Sequence, residues 1–199
     1  MKTLLATSFL AVSMIFIACG NNNSSSNESS AKNADSSSQA TNTDKAADNT
    51  DTKMAGTTSD VVTHYMHLKN ALANDNGNDA AAAAKELGSA FEKINITSLS
   101  SGEKKVYDDV KDDIKEHAEH IGENSGKIEH QREHFEMLSK DIYDLVKTST
   151  PAQTLYKDFC PMANEGKGAI WLSETKEVKN NPYQGKKMST CGKMQEEIK

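Results

Sequence analysis

What the chain is short of narrows it first. From Gly20 to Lys53 there is no Val, Ile, Leu, Met, Phe, Trp or Tyr, and the segment is nearly all Asn, Ser, Thr, Asp and Ala. Such a stretch cannot bury enough apolar surface to offset the entropy of ordering it, so disorder is expected there. Hydrophobic residues make up only 36% of the 199. The remainder, from about Thr57 to Lys199, suffices for one core and leaves no room for a two-domain enzyme. Lys and Arg number 23 against 29 Asp and Glu, a net charge of −6, and nowhere gather into a stripe. A nucleic-acid partner needs such a basic footprint, so that class is set aside. No GxSxG, HExxH or glycine-rich phosphate loop occurs, and the paired carboxylates fall on solvated helix faces. The chain is expected not to be an enzyme.

The N-terminus reads as an address. Residues 1–19 are MKTLLATSFLAVSMIFIAC, with Lys2 as the positive start and Leu4 to Ile17 as an apolar run too short for an ordinary membrane span. The closing Phe16-Ile17-Ala18-Cys19 resembles the lipobox of bacterial lipoproteins, in which this cysteine becomes the lipidated first residue. Phe16 departs from the Leu usual in that family. An ordinary secretory signal is the alternative, and in both readings the chain leaves the cytoplasm. The expected division is a signal peptide over 1–18, a disordered tether over 19–57 with coil-like reach, and a folded domain over 58–199. Lipidated Cys19 would then make the membrane a partner.

Beyond the tether the pattern turns helical. Thr57-x-x-Asp60 resembles a capping box opening a helix whose stripe is Val61, Tyr65, Leu68 and Leu72. Turn formers Asn74 to Asn78 end it, and a second stripe follows with Ala80, Ala84, Leu87, Phe91 and Ile94. Ser100-x-x-Glu103 opens a third helix, with Val106, Val110, Ile114, Ala118 and Ile121 facing inward. The fourth carries Ile128, Phe135, Leu138, Ile142 and Leu145 and stops before Pro151. Gln131 interrupts that stripe and needs a buried partner. The expected class is all-α, an antiparallel up-down four-helix bundle with an irregular C-terminal wrap. The alternative fuses the last two helices into one, kinked at Gly126. The tail beyond Pro151 reads as that wrap, in part β, closing in a short helix near Met194 to Ile198.

Two donor sets carry chemistry. All six histidines fall in pairs, His64/His67, His117/His120 and His130/His134, and spacings of three or four put both rings on one helix face, as metal chelation by a helix requires. A hairpin about Asn124 would bring the 117/120 and 130/134 pairs to the same end of the bundle. The bland reading is surface histidine, with His117 a core residue. The tail holds Cys160-Pro161-Met162 and Met188-Ser189-Thr190-Cys191, soft ligands suited to Cu(I) or Ag(I) and poorly suited to Mg²⁺ or Ca²⁺. Outside the cytoplasm an even pair of cysteines is normally a disulfide, and on spacing alone that reading is the stronger one, closing a loop of about thirty residues worth about 3–4 kcal/mol.

Several spaced blocks share one resemblance. Phe159-Cys160-Pro161-Met162-Ala163, Gly168-Ala169-Ile170-Trp171-Leu172-Ser173, Asn181-Pro182-Tyr183-Gln184-Gly185, Met188 and Cys191-Gly192 resemble, in order, a bacterial domain of unknown function. It occurs in envelope lipoproteins and as the C-terminal extension of some copper/silver (Cus-type) efflux adaptor subunits. Gln131 to Ser139 and Leu68 to Leu72 are similar to it as well, so the likeness spans roughly 58–199. It implies a helical domain in the envelope of a Gram-negative bacterium, facing the periplasm and tied to heavy metals, with an efflux adaptor as a possible partner. The barrel and hairpin expected of an adaptor are missing, which points to a free-standing version. The expected function is a lipid-anchored protein that buffers Cu(I) or Ag(I), or hands it to an efflux system, with Zn as another candidate. Cys160 and Cys191 would be thiolate ligands, completed by Met162, Met188 and His134. The other five histidines are secondary candidates. The alternative is a non-metal interaction lipoprotein stapled by a Cys160–Cys191 disulfide.

Overall fold

The computed structural model describes residues 50–199, with side chains from Thr58 onward. The signal and lipidation assignments, Cys19 included, lie outside those residues. Four helices come first: α1 (Thr50–Ala73), α2 (Gly77–Glu92), α3 (Ser101–Glu123) and α4 (Ile128–Thr148). The start of α1 precedes the Thr57-x-x-Asp60 pair, which lies inside the helix. A helix nucleated by packing further along can propagate backward past a sequence-level start signal. The third start falls where its capping box puts it. The Ser100 hydroxyl accepts from Glu103 N at 3.4 Å, and the Glu103 carboxylate accepts from Ser100 N at 2.8 Å. Helices α3 and α4 are separate, parted at 124–127 rather than fused through Gly126.

Gln131 shows how the helices run. Its side-chain amide donates to Gly77 O at 2.9 Å, where α2 starts, and to Ile121 O at 3.0 Å, where α3 ends. Its own helix has just begun, so three ends meet there, as up-down packing requires. The buried glutamine thus finds partners for its amide nitrogen, while its Oε1 is left without one among the described residues.

The all-α class is overturned beyond α4. Three strands, β1 (Leu155–Cys160), β2 (Ala169–Ser173) and β3 (Lys193–Ile198), form an antiparallel sheet in the order β2-β1-β3. The domain is therefore mixed α/β, and the tail is a sheet with turns rather than an irregular wrap. The closing segment, expected as a short helix, is β3. Met194 and Ile198 are four apart, and four is a multiple of two as well as a helical step. Along β3 the half-buried or buried Met194, Glu196 and Ile198 alternate with exposed Lys193, Gln195 and Glu197, which is strand periodicity.

The sheet lies on the bundle through β2 and α4. Trp171 and Leu172 of β2 are wholly buried, as are Tyr65 and Phe135 of the bundle. Tyr65 stacks on Phe135 with ring centroids 5.3 Å apart. Its hydroxyl shares a 2.8 Å hydrogen bond with Ser139 Oγ and accepts from Leu172 N at 3.0 Å. That edge strand is thereby closed by a helix side chain. Truncation of Phe135 to Ala is expected to cost about 3–5 kcal/mol, the penalty of a large cavity in a closed core. Urea denaturation measures it, and an unchanged midpoint would remove Phe135 from the core.

Candidate functional site

The sulfur set is assembled by strand pairing. Cys160 ends the central strand β1 and is fully buried, and Met162 lies two residues further on, 51% exposed. Antiparallel pairing of Phe159 with Lys193 brings the start of β3 alongside, and with it Cys191. The Cys191 thiol donates to Met162 Sδ at 3.6 Å and lies near enough to Cys160 to interact with it electrostatically. Both cysteines are free thiols. Three soft donors therefore meet across about thirty residues of chain.

The loop carrying Cys191 is held from behind. Buried Asn181 donates from Nδ2 to Cys191 O at 2.5 Å, while its Oδ1 accepts from Tyr183 N at 2.8 Å and Gln184 N at 3.2 Å. Met188 takes part through its backbone, its carbonyl accepting from Cys191 N at 3.1 Å. Gly192 is at φ 145°, and a Cβ there would stand 2.8 Å from the Trp171 ring and 2.9 Å from Phe159 O. Only glycine lets the chain pass from Cys191 into β3 so close to the sheet. Arg132 fastens the same loop to the bundle. It donates to Pro182 O at 2.8 Å, to Leu72 O at the end of α1 at 3.0 Å, and to Asp75 at 2.5 Å. That guanidinium holds the Asp75 carboxyl below its usual range. Asn181 and Arg132 lie in the resembling blocks, but only their contacts reveal that they position the cysteine loop.

A groove of about 870 Å³ runs between α4 and the turn after β1, its lining including Arg132, Glu136, Met137, Met162 and Tyr183. Two thioethers, those of Met137 and Met162, belong to exposed side chains. The sulfur set thus meets solvent through Met162. Burial pushes the Cys191 thiol up, and the neighbouring Cys160 adds to the effect. A metal must therefore displace protons from thiols to bind here. The donor set fits Cu(I) or Ag(I), which favour thiolate and thioether.

His134, grouped with the sulfurs from sequence, stands with imidazoles instead. The α3–α4 hairpin gathers His117, His120, His130 and His134. His117 Nδ1 and His134 Nδ1 are 3.1 Å apart, and the His120 and His134 rings stack at 4.3 Å and 5°. His64 and His67, on α1, face α2 carboxylates: His64 Nδ1 is 3.2 Å from Glu86 and His67 Nε2 is 3.0 Å from Asp79. Those two are brought together with neither donor set.

The family comparison covers the helices. Residues 61–154 match the model of a family described as a protein of unknown function (DUF3347), in line with the expected domain-of-unknown-function family. The strands and their sulfur-bearing turns lie beyond the matched residues. No curated protein and no solved structure matches the chain.

Burial pushes the His134 imidazole from 6.5 down to about 4, the His120, His130 and His117 rings acting the same way and Glu116 weakly against them. Burial lowers His117 too, with Glu116 and Asp113 opposing. An imidazole harder to protonate in the folded state leaves the unfolded chain binding more protons between about 4 and 6.5. Its contribution to stability is complete above that window and is lost as pH falls through it. Compared with a His134→Asn variant, the wild type is expected to lose stability on acidification from pH 6.5 to pH 4. Imidazole NMR titration checks the cause, and a His134 midpoint near 6.5 would contradict it.

Proposed function

We propose that this protein is a lipid-anchored, periplasm-facing envelope protein of a Gram-negative bacterium that buffers Cu(I) or Ag(I), or hands it to a heavy-metal efflux system. One observation carries the reading: the contact of Cys191 Sγ with Met162 Sδ at 3.6 Å, with the Cys160 thiol beside them. Three sulfurs drawn from two distant loops form a soft donor set, and one of them is on the surface of a groove. Thioether exchange through Met162 and Met137 is the natural exit for an ion bound by exchangeable ligands. The lipobox resemblance at Cys19 and the resemblance to domains of copper/silver efflux adaptors support the location and the metal class.

The same adjacency favours a second reading. Two neighbouring free thiols outside the cytoplasm are placed to oxidise, and a Cys160–Cys191 disulfide would then staple the sheet of a protein that binds no metal. Copper separates the two. Fully reduced wild type is expected to take up one Cu(I) per chain, measured against a chromophoric Cu(I) chelator. Either Cys160→Ser or Cys191→Ser should weaken uptake at least about tenfold, with Met162→Leu milder because it keeps size and loses one weak donor. Reduced wild type binding no better than the double Cys→Ser variant would end the metal reading for this site.

The anchor has its own test. Cys19→Ser is expected to move the protein from the membrane fraction to the soluble periplasm. Retention of the variant in the membrane fraction would refute lipidation at Cys19.

A further inference from the structure

We infer that His120, His130 and His134 form a second metal site, separate from the sulfurs and chemically distinct, that takes a borderline divalent ion, Zn²⁺ or Cu²⁺, with His117 and Glu133 orienting its rings.

One nitrogen from each of the three rings lies within 4.8 Å of one from each of the others. Around a tetrahedral ion with bonds of about 2.0–2.1 Å, ligand nitrogens stand roughly 3.3 Å apart, so small side-chain rotations close the set. Two helices supply the donors, and the hairpin at 124–127 ties those helices together next to the site. The rings of His130 and His134 meet edge to face at 4.7 Å, and that of His134 lies flat on His120.

Second partners already occupy one nitrogen on each of two of the rings. His130 Nδ1 is 3.1 Å from Glu133 Oε2, and His134 Nδ1 is 3.1 Å from His117 Nδ1. Each leaves Nε2 of its ring for an ion. A carboxylate or second imidazole on the outer nitrogen fixes the tautomer and raises ligand basicity, as at known histidine metal sites. The contrast with α1 is informative. His64 and His67 stand beside carboxylates, whereas the hairpin sets imidazoles against one another. Imidazole donors without thiolate select Zn²⁺, Cu²⁺ or Ni²⁺ over Cu(I), so the two sites divide metals by softness.

The test uses the full mature chain carrying Cys160→Ser and Cys191→Ser, which silences the sulfur set. This parent is expected to bind one Zn²⁺ per chain against a chromophoric indicator. With Co²⁺ it should give the visible bands of a tetrahedral nitrogen–oxygen site, free of thiolate charge transfer. Adding His120→Gln or His134→Gln should weaken Zn²⁺ binding at least about tenfold, while His64→Gln with His67→Gln should leave it unchanged. Should a histidine variant fail to fold, the parent decides, because Zn²⁺ must then shift the imidazole NMR signals of His120, His130 and His134 and no others beyond His117. No uptake by the parent, uptake indifferent to His120 and His134, or loss confined to the His64/His67 variant would each overturn the site. Since the parent lacks both cysteines, failure here and failure of the Cu(I) reading are separate results.

Discussion

A buried hydroxyl holds the two halves of this domain together. Tyr65 reaches from α1 past Phe135 and Ser139 of α4 to the backbone of Leu172 in β2, bridging residues 107 apart in sequence. Burial keeps that hydroxyl protonated, so it satisfies one donor and one acceptor at once in a place without water. A phenol left unpaired there would carry a desolvation penalty of about 1–3 kcal/mol. The seating of the sheet follows from this joint. The position of Cys160 at the end of β1 follows from the sheet, and that of Cys191 from the pairing of β1 with β3.

Helix α4 serves two neighbourhoods with two of its faces. His130 and His134, four residues apart, turn toward α3 and its histidines. Arg132, Glu136 and Met137 turn toward the groove and the turn after β1. One rigid element therefore positions borderline nitrogen donors and soft sulfur donors without letting them mix. The Arg132 guanidinium, reaching Pro182 O, Leu72 O and Asp75, fixes the cysteine loop to that frame. Such charge-assisted contacts are directional, and they set the loop more firmly than apolar packing would.

A buried carboxyl marks the centre of the sheet. Asp158 of β1 is wholly buried, and burial raises its pKa to about 6, with the Ser173 hydroxyl and the buried Lys69 ammonium pulling it back. Lys69 is itself pushed down by burial, against the pull of Glu174 and Asp158. Neither oxygen of the Asp158 carboxyl has a hydrogen-bond partner among the described residues, so the Lys69 charge acts on it through space rather than by a direct contact.

The sequence by itself determined the four helices, since their signals are local: stripes three and four apart, the Ser100/Glu103 box, the turn formers after Ala73 and the stop before Pro151. It also showed that Gln131 needed a buried partner and that the histidines lie in pairs along helix faces. Only the tertiary structure decided the rest. The three strands are short, their four-residue spacings fit helix and strand alike, and pairing partners such as Phe159 and Lys193 lie far apart in the chain. Whether His134 sides with cysteines or with other histidines depends on which face of α4 meets α3, which no spacing within α4 specifies. Local propensity is written residue by residue, but a site made of donors from separate elements exists only once long-range packing has chosen which faces touch.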